Sequence, residues 1–319
     1  MKNEERESDQ QKDDPIDFFE SSIESLFGHH QAATGEPGQL CTLHLEGIDR
    51  EDDEGIKYRI PQSDTNKLFA HYQWDSGLFL GRLIYKNSKG TKDVEDDNAQ
   101  SPCVSAIIRP EADVRQKTLL ELGAGTGIPG LISAKYGASS VLITDYPDKG
   151  ILAALNENIQ FSSVQKNAKA IGLDWANDKT IKNILQQYPK RFERILCADV
   201  LWLSSSHQSL LNTILSMLAK TSTAKCIIVS GFHTGRRALS KFFAMTFAQN
   251  LRPSKDINGK PIVFEFNVVT NQARQWSGKQ SFISTQKQDD SDEEEQQDNM
   301  DDFTERTKWL LYVCLEWDL

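Results

Sequence analysis

The chain has 319 residues, 38% hydrophobic and 9% aromatic, enough to build the core of one large α/β domain with extensions. Its formal charge is −10, but nine acidic residues and no basic one fall between Asp289 and Asp302, so the remainder is close to neutral; neither a nucleic-acid footprint nor a strongly acidic docking face is implied. The N-terminus lacks the apolar core of a signal peptide, and no apolar run approaches the roughly 18–20 residues of a membrane span.

The five cysteines are scattered, with no C-x-x-C pair and no Cys/His cluster, so no metal is expected and reduced thiols are the better reading. These features point to a cytoplasmic protein, or a nuclear one, acting as a monomer without nucleic acid or membrane partners.

Residues 1–14 are polar and aperiodic, as in a disordered leader. From Asp17 to Gly28 the apolar residues fall at helical spacing, and Gly28 is a natural stop. Alternating stretches Leu40 to Leu45 and Ile56 to Ile60 flank the acidic, turn-prone run Asp49 to Gly55, predicting an antiparallel hairpin. Residues 15–64 thus form an N-terminal extension to a main domain over 65–319. Next, Asn66 to Tyr85 reads as a loop running into an apolar-faced helix, and residues 86 to about 116 as a surface insertion.

From Thr118 strands alternate with helices, the pattern of parallel βαβ units. Strands are expected at 118–122, 140–144, 167–172, 193–198, 225–230, 262–269 and 308–316, and helices at 128–136, 149–160, 178–188, 206–219 and 236–249. The polar stretch 271–305 separates the last two strands as an insertion between hairpin partners. The fold class is α/β: a Rossmann-like, mostly parallel sheet of seven strands, the last antiparallel, with helices on both faces.

The first of these strands enters Glu121-Leu122-Gly123-Ala124-Gly125-Thr126-Gly127, and an apolar helix leaves it at Ile128. Alternate glycines let the backbone turn tightly and approach a ligand without a Cβ in the way. The third glycine stands at 127, where a dinucleotide fingerprint needs it at 128, and no Lys-Ser or Lys-Thr pair follows at P-loop spacing. About 20 residues on, Val141-Leu142-Ile143-Thr144-Asp145 ends the second strand on a carboxylate, able to accept hydrogen bonds from both ribose hydroxyls of an adenosine ligand. An isolated aspartate there more often ends a surface strand; coupled to the loop at this spacing, the ligand reading wins.

This loop, the strand end Thr144-Asp145-Tyr146-Pro147, Gly172-Leu173-Asp174-Trp175, and Ala198-Asp199-Val200-Leu201-Trp202 together resemble the family 16 group of seven-β-strand methyltransferases. That resemblance runs in motif order from about residue 65 to 250 and implies S-adenosylmethionine as cofactor. Carried over position by position, it implies that Gly123, Ala124, Gly125, Asp145 and Ala198 hold the cofactor and that Trp175 stacks on its adenine. Asp174 would bond the adenine amino group or cap its own turn. Within His71-Tyr72-Gln73-Trp74-Asp75-Ser76-Gly77, Trp74 would cover the sulfonium, where an aromatic face suits a positive sulfur.

Asp199 and Trp202 are the implied catalytic pair at the acceptor, Asp199 orienting the amine and Trp202 forming a wall where the family has Tyr or Phe. His233, in Ser230-Gly231-Phe232-His233, is a candidate base, substrate contact or polar cap, and Arg236 and Arg237 read as solvated residues starting a helix. The group implies a protein N-methyltransferase acting on lysine or an N-terminal amine, with translation elongation factor 1-alpha as candidate substrate. A small-molecule, nicotinamide-type acceptor is the alternative, and a cofactor-free binding module is disfavoured by the intact Gly123, Gly125, Asp145 and Trp175.

Overall fold

A computed structural model describes residues 33–45, 55–62, 70–89, 109–276 and 306–319. The expected leader, the helix at 17–28, Cys103 and the acidic run lie outside the described residues. In chain order the elements are β1 (Ala33–Thr34), β2 (Leu40–Leu43), β3 (Ile56–Arg59), β4 (Gln73–Trp74), α1 (Asp75–Ser88), β5 (Thr118–Leu122), α2 (Ile128–Lys135), β6 (Ser140–Asp145), α3 (Lys149–Phe161), β7 (Ala168–Gly172) and α4 (Asp178–Gln187). They continue with β8 (Arg194–Ala198), α5 (His207–Met217), β9 (Lys225–Gly231), α6 (Gly235–Ala248), β10 (Leu251–Pro253), β11 (Val263–Asn267), β12 (Ala273–Gln275) and β13 (Trp309–Trp317).

The main sheet runs β12-β11-β13-β9-β8-β5-β6-β7, parallel from β9 to β7, with β13 antiparallel to both β9 and β11. All seven expected strands are present, each within two residues of its expected bounds. Two strands of three residues, β10 on β13 and β12 on β11, bring this sheet to nine strands among the described residues. Both are too short for a period-2 signal to register.

Central strands such as β5 are buried on both faces, as a parallel sheet covered by helices requires. Helices α1 to α3 pack on one face and α4 to α6 on the other. Their starts follow local chemistry: the side chains of Asp148 and Asn177 accept the first free N–H groups of α3 and α4.

Because β6 and β8 flank β5 on opposite sides, the strand order reverses at β5, and a crevice opens beyond the strand ends there. The hairpin β2–β3 does not join the main sheet. It packs on α3 instead, where the Asn158 side chain accepts the Arg59 N–H (2.6 Å) and donates to the carbonyls of Arg59 and Thr126 (both 2.9 Å). Residues 109–116, expected on the surface, return to the core with Ala112 and Val114 fully buried. Among the described residues no helix is long and apolar enough to cross a membrane, and no cluster of His, Cys, Asp and Glu could hold a metal ion.

Candidate functional site

A cavity of about 360 Å³ opens beyond the ends of β5, β6 and β8. Gly123, Gly125, Asp145 and Trp175 line one end, and Trp74, Asp199 and Trp202 the other. Two residues expected to touch the cofactor, Ala124 and Ala198, are not among the lining residues. Ala124 donates its N–H to the Thr144 carbonyl (3.0 Å) and accepts from Gly127 N (2.7 Å), so its backbone is spent on the turn. Ala198 ends β8 in register with Val229 and packs against the core.

The loop after β5 needs its glycines: Gly123, Gly125 and Gly127 have φ of 63°, 54° and 78°, in the left-handed region. A Cβ on Gly123 would stand 2.7 Å from Val200 Cγ1, too close to fit, and 3.4 Å from Trp175 Cζ2, so the loop packs tightly against Val200 beside the tryptophan ring. Asp145 accepts the N–H groups of Gly125 (2.7 Å) and Tyr146 (2.6 Å), one on each oxygen. Each oxygen keeps capacity for one more donor. Burial pushes its carboxyl up to about 6, against the downward pull of those two amides. Asp174 accepts the N–H of Ala176 (2.9 Å), so it caps its own turn while lining the cavity.

Beneath the loop, Glu121 is fully buried and accepts the Gly130 N–H at 3.0 Å, and burial pushes its carboxyl up to about 8. Burial thus favours its neutral form, and it braces the first turn of α2, a role its place inside an apolar strand had not signalled.

At the other end, Asp199 follows β8 with φ of 57°, a conformation that costs a non-glycine residue about 1–2 kcal/mol. Its Oδ1 accepts from His233 Nε2 (3.0 Å) and Gly231 N (3.1 Å), and its Oδ2 from Ser76 Oγ (2.9 Å). Burial acts to raise its carboxyl, but the charge and hydrogen bond of His233, with the Gly231 and Ser76 bonds, outweigh it and leave it below the ordinary range. For His233 burial likewise opposes the charged form, and Asp199, helped by Asp75, prevails to raise it. The two form an ion pair whose side chains are each 7% exposed.

Trp74 meets the His233 ring edge-on, centroids 5.0 Å apart. It is fixed by its neighbours: β4 pairs with β1, and Gln73 donates to the Trp74 carbonyl (2.8 Å) while accepting from the Thr126 hydroxyl of the glycine loop. The two ends of the cavity are thereby tied together. Gln73, Ser76 and Thr126 lie inside the quoted segments His71 to Gly77 and Glu121 to Gly127, but no role was assigned to them there, because their partners stand far along the chain.

Arg236, expected in solvent, is instead turned inward. It pairs with the fully buried Glu265, which Arg274 also contacts at 2.5 Å, and its guanidinium lies 4.4 Å from the Phe232 ring centroid. Glu265 sits on β11, so the pairing was invisible at the helix start. Arg237 lines a separate groove with Lys241 and Arg306.

The lysine methyltransferase family matches residues 53–249. A protein N-terminal and lysine N-methyltransferase of Schizosaccharomyces pombe is 31% identical over 54% of this chain and 58% of its own length. One of the same description from Candida glabrata is 26% identical over 66% of this chain and 75% of its own. Thus the chain spans under two thirds of the first relative's length. A ribosomal protein methylase structure from Lactobacillus delbrueckii aligns over 76% of this chain and 80% of its own, at 14% identity and a TM-score of 0.39.

Proposed function

Because the chain belongs to the lysine methyltransferase family, we propose that it transfers a methyl group from S-adenosylmethionine to an amine of a protein, either a lysine side chain or an N-terminus. One observation carries this reading: a single cavity is lined by a glycine loop and the buried carboxylate Asp145, and also by the carboxylate Asp199 and two further tryptophans, Trp74 and Trp202.

The residues fit the cofactor. A Cβ at Gly125 would meet nothing within 4 Å, so open space faces the loop, and Asp145 offers a free acceptor position on each oxygen. Gly123, Gly125 and Asp145 would hold the nucleoside, Trp175 its base, and Trp74 the sulfonium end. When bound, S-adenosylmethionine supplies an electrophilic methyl group on a positive sulfur.

Displacement at that methyl needs an amine lone pair in line, with water excluded. Asp199 accepts a hydrogen bond from the incoming amine and orients it, and its partners Ser76, Gly231 and His233 stop the carboxylate from turning. Trp202 supplies the acceptor wall, its indole standing where the family has a phenol or phenyl ring.

Both relatives named above are described as acting on protein N-termini and lysines, which favours a protein acceptor. Translation elongation factor 1-alpha is the specific candidate, from the resemblance already drawn. Free thiols at Cys41, Cys197, Cys226 and Cys314 suit work in the cytoplasm.

Incubation with tritiated S-adenosylmethionine and a cell extract should label a protein band of the size of that factor. Label in small molecules alone would turn the assignment to the nicotinamide-type alternative. Asp145→Ala should weaken cofactor binding at least about tenfold by calorimetric titration, near 1.4 kcal/mol. Unchanged affinity would remove Asp145 from the ribose.

A further inference from the structure

We propose that His233 is the positioning residue of the acceptor site: from outside the cavity lining, it fixes the orientation and the charge of Asp199. The inference rests on the methyl-transfer reading above for its consequence, but on geometry for its content.

Asp199 is held by three donors, and only one can carry charge. The Ser76 hydroxyl (2.9 Å) and the Gly231 amide (3.1 Å) are neutral, while His233 Nε2, at 3.0 Å, belongs to an imidazole. A carboxylate this deeply buried loses most of its hydration, and with neutral donors alone it tends to take up a proton. The imidazolium is the counter-charge that keeps it ionised. On α1, the charge of Asp75 also acts on His233 and favours the protonated ring. Neither His233 nor Asp75 lines the cavity, so their influence reaches the acceptor through Asp199.

Pairing also suits the chemistry. An isolated carboxylate would stabilise an incoming ammonium in its charged, non-nucleophilic form. A carboxylate already matched by an imidazolium still accepts an N–H bond and still aims the amine, yet it exerts little net attraction on the ammonium charge. The free amine is then reached with less opposition. The ring also meets Trp74 edge-on at 5.0 Å, but the pairing of β4 with β1 and the Gln73 bonds hold that tryptophan, so the histidine acts on the carboxylate.

Gly231 gives an independent handle. A Cβ there would stand 2.5 Å from His233 Nε2, so Gly231→Ala displaces the ring without altering it.

The test measures kcat and KM against pH, with cofactor affinity and thermal midpoint alongside, for His233→Ala, His233→Gln and Gly231→Ala. His233→Ala should lower kcat at pH 7 by about tenfold or more, a share of the range expected for a positioned proton acceptor, with cofactor affinity unchanged. Without the counter-charge Asp199 titrates higher, less of it is ionised at any given pH, and the acid limb of the kcat profile must move up. His233→Gln, which keeps a donor but no charge, should recover part of kcat and leave the limb shifted. Gly231→Ala should resemble His233→Ala.

An unmoved acid limb, or a loss of kcat matched by lost cofactor affinity or lost fold, overturns the proposal. A carbon-13 NMR titration of the Asp199 carboxyl, wild type against His233→Gln, needs no turnover. An upward shift in the variant supports the pairing even if no methyl transfer is found, and no shift sinks it even if transfer is robust.

Discussion

At the glycine-loop end of the cavity, Asp145 is held by backbone N–H groups of Gly125 and Tyr146, 20 and 1 positions away; at the acceptor end, Asp199 is held chiefly by side chains of Ser76 and His233, 123 and 34 positions away. Burial drives both carboxylates toward protonation. Two neutral amides leave Asp145 at about 6, whereas the charged partner brings Asp199 below the ordinary range. Equal burial thus produces two kinds of carboxylate. One stands at the edge of its ionised state and suits hydroxyl donors, and the other stays ionised and suits an amine. Short of proline, no substitution removes a backbone donor, so the first end is set by the fold and the second can be tuned residue by residue.

The largest effect is expected where the two ends should separate cleanly. Asp199→Asn keeps the size and an acceptor oxygen but loses the charge, and single-turnover methylation should slow about 100-fold, in the range for a positioned proton acceptor. Cofactor affinity should stay within about twofold. If affinity fell as far as the rate, the ends would not be independent and the comparison would fail.

The next effect belongs to the first end and is read by pH. On the proposed ribose role Asp145 accepts from hydroxyls in its ionised form, so protonation would convert one oxygen into a donor and oppose binding. Cofactor affinity should therefore be flat above pH 7 and fall below about 6, by at most about tenfold per pH unit for one linked proton. Calorimetric titration from pH 8 to pH 5 reads this directly. The same titration of Asp145→Asn should lose the slope; persistence of the slope would assign it to another group.

The difference between the ends also explains how much could be read beforehand. Gly123, Gly125 and Asp145 lie in short segments whose strand–loop–helix context is local, so loop and spacing place them in one crevice, while Trp175 came through the family resemblance; β5 falls at the expected bounds, Thr118–Leu122. Asp199 and Trp202 were legible through motif order. His233 could be seen only as a loop histidine, because its partner lies on the adjacent strand end. Ser76 sat in the quoted segment His71 to Gly77, but its role could not be read there, since its partner stands more than a third of the chain away. Arg236 failed for the same reason: nothing at the start of α6 announces Glu265 on β11. Pattern reading captures groups joined along the chain, and pairings across the sheet become visible only with strand order.

The smallest effect tests whether the acceptor end behaves as one unit. Ser76 lies in the first turn of α1 and is fully buried, and alanine there leaves the helix intact while removing the single donor to Asp199 Oδ2. One lost hydrogen bond to a charged acceptor is worth about 1.5 kcal/mol, so kcat should fall roughly tenfold or less. The informative quantity is the coupling with His233→Gln. If both residues act through Asp199, a carboxylate freed by the first change has little orientation left for the second to destroy. The double variant should then lose clearly less than the product of the two single losses, a coupling of at least about 0.5 kcal/mol. Independent losses would mean that Ser76 supports the helix and His233 the tryptophan, with Asp199 held by its own strained backbone.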